Sequence, residues 1–82
     1  MELSNTSTRK ITALFLSSSG VLLSGHWDGV MREWDIHIGL CLHSIRMHDM
    51  AITCIVRGIS DTFISGSLDG KIRVWDIVLL VA

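Results

Sequence analysis

The chain has 82 residues, with 7 basic and 8 acidic side chains and a formal net charge of −1. This length allows one small domain at most. A hydrophobic content of 49%, with only 18% charged residues, excludes an intrinsically disordered chain. The near-neutral charge argues against a strongly basic nucleic-acid surface. The chain is still more apolar than a small soluble domain needs, so it is either a membrane segment or part of something larger.

A membrane or secreted protein is not what the sequence indicates. The longest uninterrupted apolar run, Ile77–Ala82, is far shorter than the roughly 20 residues of a spanning helix. Residues 1–10 are polar and lack the apolar core of a secretory signal. The two cysteines, Cys41 and Cys54, do not make a disulfide framework. We therefore expect a protein of the cytoplasm or nucleus that is not secreted and that contacts neither membrane nor nucleic acid.

An internal repeat with an offset of 41 residues organises the chain. Eleven of the 26 positions from Ile11 to Ile36 carry the same residue 41 positions later, without a gap. The repeated pairs include Ser24-Gly25 with Ser65-Gly66, and Trp34-Asp35 with Trp75-Asp76. A period of about 40 residues is typical of propellers, helical arrays and similar repeat architectures.

The local pattern favours strands in both copies. Apolar, β-prone runs of about six residues are separated by turn signals, among them two Asp-Gly pairs that are typical of hairpins. No stretch shows a sustained helical period. We therefore predict an all-β fold with strands, in chain order, at 11–16, 21–25, 30–36, 40–46, 52–57, 62–66 and 71–77.

The pattern Ser-Gly-x-x-Asp-Gly-x-x-Arg-x-Trp-Asp, found twice, resembles the WD-repeat family of β-propellers. The resemblance covers about residues 12–77, and the second copy is the closer match because it also has His48 ahead of its first strand. The resemblance implies four-stranded antiparallel blades around a central channel. The chain would then form about one and three-quarter blades of a ring that it does not close. The boundaries are a polar segment at 1–10, a first blade at 11–46 and an incomplete second blade at 47–82.

The same resemblance implies a structural tetrad in the second copy. The indole of Trp75 would bond to Ser65, Ser65 to His48, and His48 to Asp69, which satisfies buried polar groups. The first copy offers only a partial set, Ser24, Asp28 and Trp34, because Ser7 stands at its histidine position. Met47 also replaces the glycine that usually precedes the histidine in this family.

Catalytic and metal-binding alternatives are weaker. Ser65, His48 and Asp69 have the composition of a hydrolase triad, but a serine between strands is not exposed on a nucleophile elbow. His37, Cys41, His43, His48 and Cys54 fit no paired spacing of zinc ligands. We expect no catalytic residue, no metal and no cofactor.

Partner binding is expected at the loops of the propeller rim. Trp27 precedes Asp28 in a predicted turn, where an exposed tryptophan is a typical interface anchor; the alternative is that it packs on its own loop or on the neighbouring blade. Leu68 occupies the same place in the second copy, and Met50 in the loop after His48 is a weaker candidate. By analogy with the family, the chain is a non-enzymatic scaffold or adaptor for proteins or peptides.

Two features leave alternatives open. Glu33 replaces the apolar residue found at Val74 and would point towards the next blade, so it either meets an arginine such as Arg57 or faces an open surface. Two blades also leave apolar sheet faces uncovered. We expect further blades of a parent protein, or self-association, to cover these faces. The chain is then a WD-repeat segment of a larger propeller protein, or a truncated or splice-derived fragment without an independent function.

Overall fold

The computed structural model describes residues 3, 10–17 and 20–76. Within these residues the fold is all-β, as predicted, and contains no helix; in particular, none is long and apolar enough to cross a membrane. The predicted end of the last strand at residue 77 and the segment 78–82 lie outside the described residues. The strands are β1 Ile11–Leu16, β2 Val21–His26, β3 Val30–Asp35, β4 Leu40–Arg46, β5 Ile52–Arg57, β6 Thr62–Ser67 and β7 Ile72–Asp76.

The strands form two antiparallel sheets that do not close a ring. The first sheet has the order β1-β2-β3-β4, and the second has the order β5-β6-β7. Equivalent hairpin turns join β2 to β3 and β6 to β7. In each turn an aspartate side chain accepts a hydrogen bond from the backbone N–H two residues later, from Val30 to Asp28 at 3.1 Å and from Lys71 to Asp69 at 2.8 Å. This is the local bonding that makes aspartate a frequent turn residue.

Each sheet has one face that carries its tryptophan and one that does not. Strand residues alternate between faces, and the register pairs Leu22 with Trp34 and Ser65 with Arg73 across neighbouring strands. We call the side with Trp34 or Trp75 the tryptophan face, and the other side the opposite face. The opposite face of the first sheet carries Leu23 and Met31, whereas that of the second sheet carries Cys54, Val56, Ile64, Ile72 and Val74.

The core lies where the opposite face of the first sheet packs on the tryptophan face of the second. Its buried residues are Leu23, Met31, Met47, Ile52, Ile55 and Phe63. The first sheet lies close to the second at Gly25, where a Cβ atom would lie 2.7 Å from Ile52 Cγ2. Residue 25 therefore leaves room for the neighbouring sheet, and burial of these apolar side chains holds the two sheets together.

Glu33 is buried in this interface, and its contact differs from both alternatives left open by the sequence. Its carboxylate lies 3.5 Å from His43 Nδ1 on β4. Among the described residues, the basic side chain beside this carboxylate is thus a histidine of the same sheet and not Arg57. Glu33 is 2% exposed, so the face is covered at this position. The β3–β4 register shifts between Glu33 and Trp34, and it sets Glu33 directly opposite His43.

Candidate functional site

The second sheet holds a chain of four hydrogen-bonded side chains at its junction with the first sheet. Trp75 Nε1–H donates to Ser65 Oγ at 3.0 Å, and Ser65 Oγ lies 2.7 Å from His48 Nε2. His48 Nδ1 lies 3.2 Å from an Asp69 carboxylate oxygen. Strands β6 and β7 carry the serine and the tryptophan, while the β4–β5 connection and the β6–β7 turn carry the histidine and the aspartate.

The donor and acceptor groups of these four side chains determine the direction of each hydrogen bond. An ionised carboxylate only accepts, so Asp69 accepts from the Nδ1–H of His48. In the neutral form of the imidazole, Nε2 is then an acceptor, and the Ser65 hydroxyl donates to it. Ser65 Oγ meanwhile accepts from Trp75, so one serine oxygen is used in both roles. A fully satisfied buried network of this kind rigidifies the structure around it.

Asp69 is the charged end of this series of four hydrogen-bonded side chains, and its pKa is shifted. Its burial acts to raise the pKa, but the backbone N–H of Lys71, the hydrogen bond from His48 and the positive charge of His48 in its protonated form act in the other direction. These favourable contacts prevail and hold the pKa of Asp69 below its ordinary value of 3.8. The aspartate is therefore ionised at neutral pH, as the hydrogen-bond directions require.

The first sheet has a related network that the sequence did not reveal. Trp34 Nε1–H donates to Ser24 Oγ at 2.8 Å, and Ser24 Oγ lies 2.7 Å from His26 Nε2. All three side chains are buried. His26 stands two residues after Ser24 on β2, so both point to the same face. The residue at the family's histidine position, Ser7, lies outside the described residues.

Sequence reasoning missed His26 for two reasons. The second copy has Ser67 at this position, so the repeat gives no signal there. The predicted second strand also ended at residue 25, whereas β2 continues through His26. The available signal was the spacing of a histidine two residues from the serine. Asp28, the third member of the predicted partial set, instead accepts a bond from the backbone of Val30.

The buried networks fit a structural role better than a catalytic or metal-binding one. Ser65 is fully buried, and its oxygen is held between the indole of Trp75 and the imidazole of His48. A nucleophilic serine needs an exposed oxygen beside its base. Among the described residues, no three histidine, cysteine or acidic side chains lie close enough together to bind a metal ion.

The three predicted partner-binding residues lie at one edge of the molecule. We define the upper edge as the β2–β3 turn at 27–29, the β4–β5 connection at 47–51 and the β6–β7 turn at 68–70. Trp27, Met50 and Leu68 are exposed there, one on each segment. An open cleft of about 270 Å³ lies beside them, lined by Arg46, Met47, His48, Asp49, Arg73 and Trp75.

Hydrogen bonds connect the segments of the upper edge. The backbone N–H groups of Met47 and His48 donate to the carbonyl of Gly29, at 3.0 and 3.2 Å. Leu68 N–H donates to the carbonyl of Ala51 at 3.0 Å. The Arg46 guanidinium donates to the carbonyl of Asp28 at 2.7 Å. The three segments are therefore held in place by both sheets.

Comparisons with known proteins agree with this fold. The chain is 36% identical over 45 residues to Cell division control protein 4 of Saccharomyces cerevisiae, over 55% of this chain and 6% of that protein. It is 41% identical over 46 residues to F-box/WD repeat-containing protein 10 of Mus musculus, over 55% of this chain and 4% of that protein. The chain thus covers only a small share of the length of either relative.

Two designed proteins of known structure have a similar, propeller-like fold. The computationally designed Ika4 protein superposes with a TM-score of 0.76 and 32% identity, over 93% of this chain and 46% of that one. The computationally designed Ika8 protein gives a TM-score of 0.71 and 34% identity, over 82% and 20%. The family model "WD domain, G-beta repeat" matches residues 2–35 and 39–76, which include both copies. The chain belongs to the WD40 repeat family, whose members are in general non-enzymatic protein-interaction domains.

Proposed function

We propose that this chain is a non-enzymatic scaffold or adaptor module that binds a peptide or protein segment at its upper edge. Residues 11–46 and 47–82 would act as successive blades, preceded by the polar segment 1–10. WD40 repeats in general support protein–protein interactions, and the upper edge is the surface of this chain that fits such a role best. We place the activity in the cytoplasm or nucleus, with which two free cysteines are compatible.

The observation that carries the proposal is the exposure of three large apolar side chains on three connected segments. Trp27, Met50 and Leu68 are each at least half exposed. Tryptophan and methionine are enriched at protein interfaces. Exposed apolar groups that lie together on a surface mark an interaction site more often than scattered ones do.

Two further features suit a binding surface. The hydrogen bonds between the segments hold the backbone before a partner arrives, which lowers the entropy lost on binding. The neighbouring cleft adds polar groups of both charges, Arg46, Arg73 and Asp49, to the apolar anchors. A few polar groups beside an apolar anchor are the arrangement that orients a ligand.

Binding of a displayed peptide tests the proposal. Peptides are selected from a random library on the immobilised full chain, and the dissociation constant of the best one is compared between variants. An anchor tryptophan contributes about 2 kcal/mol or more, so Trp27→Ala should weaken binding roughly 30-fold. The matched control is Ile59→Ala, which removes an exposed apolar side chain from the β5–β6 turn at the other edge. Equal affinities of the wild type and Trp27→Ala would refute the upper-edge site.

A second candidate is a truncated or splice-derived segment of a longer WD-repeat protein, without a partner of its own. The small share of each relative that the chain covers favours this reading. It predicts that no peptide is selected on the isolated chain and that the chain, expressed alone, is insoluble and rapidly degraded. Selection of a peptide whose binding depends on Trp27 would contradict it.

A further inference from the structure

The cleft beside the upper edge carries two arginines that no carboxylate neutralises. Arg46 at the end of β4 and Arg73 on β7 both line this open cleft of about 270 Å³. Within the part of the chain that the structure describes, neither guanidinium lies within ion-pair distance of an acidic side chain. An arginine stays charged because its guanidinium does not lose a proton in proteins. The cleft therefore holds two permanent positive charges without an ionic partner among the described residues.

Arg46 is held in a fixed position beside the cleft. Its Nη1 donates a hydrogen bond to the backbone carbonyl of Asp28 at 2.7 Å. A carbonyl is neutral, so this bond orients the guanidinium and leaves its charge in place. It also uses only one of the several N–H donors of the group. A side chain that is already ordered loses less entropy when it binds an anion.

Arg73 and Trp75 are accessible in the second copy, whereas their counterparts in the first copy are buried. Arg32 and Trp34, at the same repeat positions, are only 5% and 4% exposed. Arg73 is exposed and Trp75 is partly exposed, and both border the cleft. The indole N–H of Trp75 is already bonded to Ser65, so this side chain offers a ligand apolar ring surface. A guanidinium beside apolar ring surface suits an acidic side chain with an aliphatic stem.

The other lining residues limit the negative charge that the cleft can accept. Both ring nitrogens of His48 are bonded within the tetrad, so this side chain offers a ligand no free donor. Asp49 is exposed in the same lining and opposes the two arginines, which leaves one net positive charge. A single carboxylate balances this charge, whereas a group with two negative charges would meet repulsion from Asp49.

We propose that this cleft binds the side-chain carboxylate of an aspartate or glutamate in the segment that the upper edge recognises. Hydrogen bonds between guanidinium and carboxylate are charge-assisted and are about twice as strong as those between neutral groups. Pockets for small-molecule ligands usually enclose about 300–1,000 Å³, so a cleft of about 270 Å³ suits one side chain. The inference rests on the proposed function, because the cleft and the apolar anchor Met50 share the β4–β5 connection. The partner segment thus carries an acidic residue close to an apolar one.

Two peptide libraries that differ in one fixed residue test the inference. Both have random positions on either side of a central residue, which is glutamate in one library and glutamine in the other. On the immobilised full chain, the glutamate library should give more bound peptide. Replacement of the central glutamate of its best peptide by glutamine should raise the dissociation constant roughly tenfold, because the charge-assisted bond is lost.

Variants of the chain show whether Arg73 contacts this carboxylate. Arg73→Gln should lose most of the difference in affinity between the glutamate and glutamine peptides. The matched control Arg57→Gln removes the same charge from an exposed arginine at the far end of β5, and it should keep the difference. In the wild type, added salt should weaken binding of the glutamate peptide more than that of the glutamine peptide, because salt screens the charges. The salt measurement does not depend on the folding of any variant.

The outcomes separate this inference from the proposed function. Equal affinities and equal salt dependence of the two peptides would overturn the inference, as would an equal loss for both peptides in Arg73→Gln. A difference in affinity that Arg57→Gln removes as fully as Arg73→Gln would also overturn it. If binding in these cases still depends on Trp27, the upper-edge site stands without the acidic contact. If neither library yields a bound peptide, the proposed function and this inference both fail.

Discussion

The two Asp-Gly turns offer a matched pair of glycine substitutions. Gly29 and Gly70 occupy the same place in the two copies, with φ angles of +84° and +81°. A Cβ atom at Gly70 would have no neighbour within 4 Å. A Cβ atom at Gly29 would overlap the carbonyl oxygen of His48 and lie 2.8 Å from that of Met50. Alanine at both positions therefore separates backbone strain from the contact between the β2–β3 turn and the β4–β5 connection.

The expected losses follow from these contacts. A left-handed backbone costs an alanine about 1–2 kcal/mol, and this cost applies to both variants. At Gly29 the backbone must also move, which weakens the two hydrogen bonds that its carbonyl accepts from the N–H groups of Met47 and His48. Each such bond contributes about 0.5–1.5 kcal/mol. Gly29→Ala should therefore lose about 1–3 kcal/mol more of the free energy of unfolding than Gly70→Ala.

Urea unfolding followed by tryptophan fluorescence measures this difference. All proteins are compared at one concentration, because self-association adds to apparent stability. The midpoint reports stability where the slope of the free energy against urea is unchanged. The reduced entropy of the unfolded chain that alanine brings is the same in both variants and cancels in the comparison.

Equal losses in the two variants would refute the reasoning, because they would show that Gly29 does not approach the connection that carries His48. A gain in stability for Gly70→Ala would contradict the positive φ angle of its turn. The first of these results would remove the support for an upper edge held in place by both sheets.

Three more predictions concern the buried networks. Ser65→Ala should lower the free energy of unfolding by about 2–4 kcal/mol, because it leaves an indole N–H and a buried imidazole without their partner. Ser44→Ala, which removes an exposed hydroxyl on β4, should lose less than about 1 kcal/mol in the same urea assay. His26→Ser and Ser24→Ala should each lower the free energy of unfolding. Because the two side chains share a hydrogen bond, the double variant should lose less stability than the sum of the two single losses. Additive losses would show that the two side chains do not interact. The free energy of unfolding should fall as the pH drops through the pKa of Asp69. The folded state stabilises the ionised carboxylate, so the contribution of Asp69 to stability is complete above pH 3.8 and is lost as the pH falls below that value. Asp69→Asn should remove this component, and an unchanged pH profile of unfolding would contradict the role of the carboxylate.

Much of the fold could be predicted because the repeat and the turns act locally. The two Asp-Gly pairs fix the hairpins, and the apolar runs between turn residues set strand positions to within about one residue. Alternation along the strands then decides which side chains share a face. For this reason the sequence indicated that the four tetrad residues of the second copy would lie together. In the structure they are joined by three hydrogen bonds.

The side-chain partners that the sequence left undetermined depend on tertiary register. Glu33 faces His43 because the pairing of β3 with β4 shifts by one residue at this point, and no pattern in the sequence signals that shift. His26 belongs to the first network because β2 runs one residue beyond its predicted end. In both cases a one-residue change in pairing or length decides which polar groups meet.

The most direct test of the central claim, that the upper edge is a binding surface, is the dissociation constant of one selected peptide measured with the wild type, Trp27→Ala and Ile59→Ala. The account predicts that Trp27→Ala binds roughly 30-fold more weakly than the wild type. Ile59→Ala, which alters an exposed residue at the other edge, should bind as tightly as the wild type. Equal affinities of the wild type and Trp27→Ala, or an equal loss in both variants, would contradict the claim.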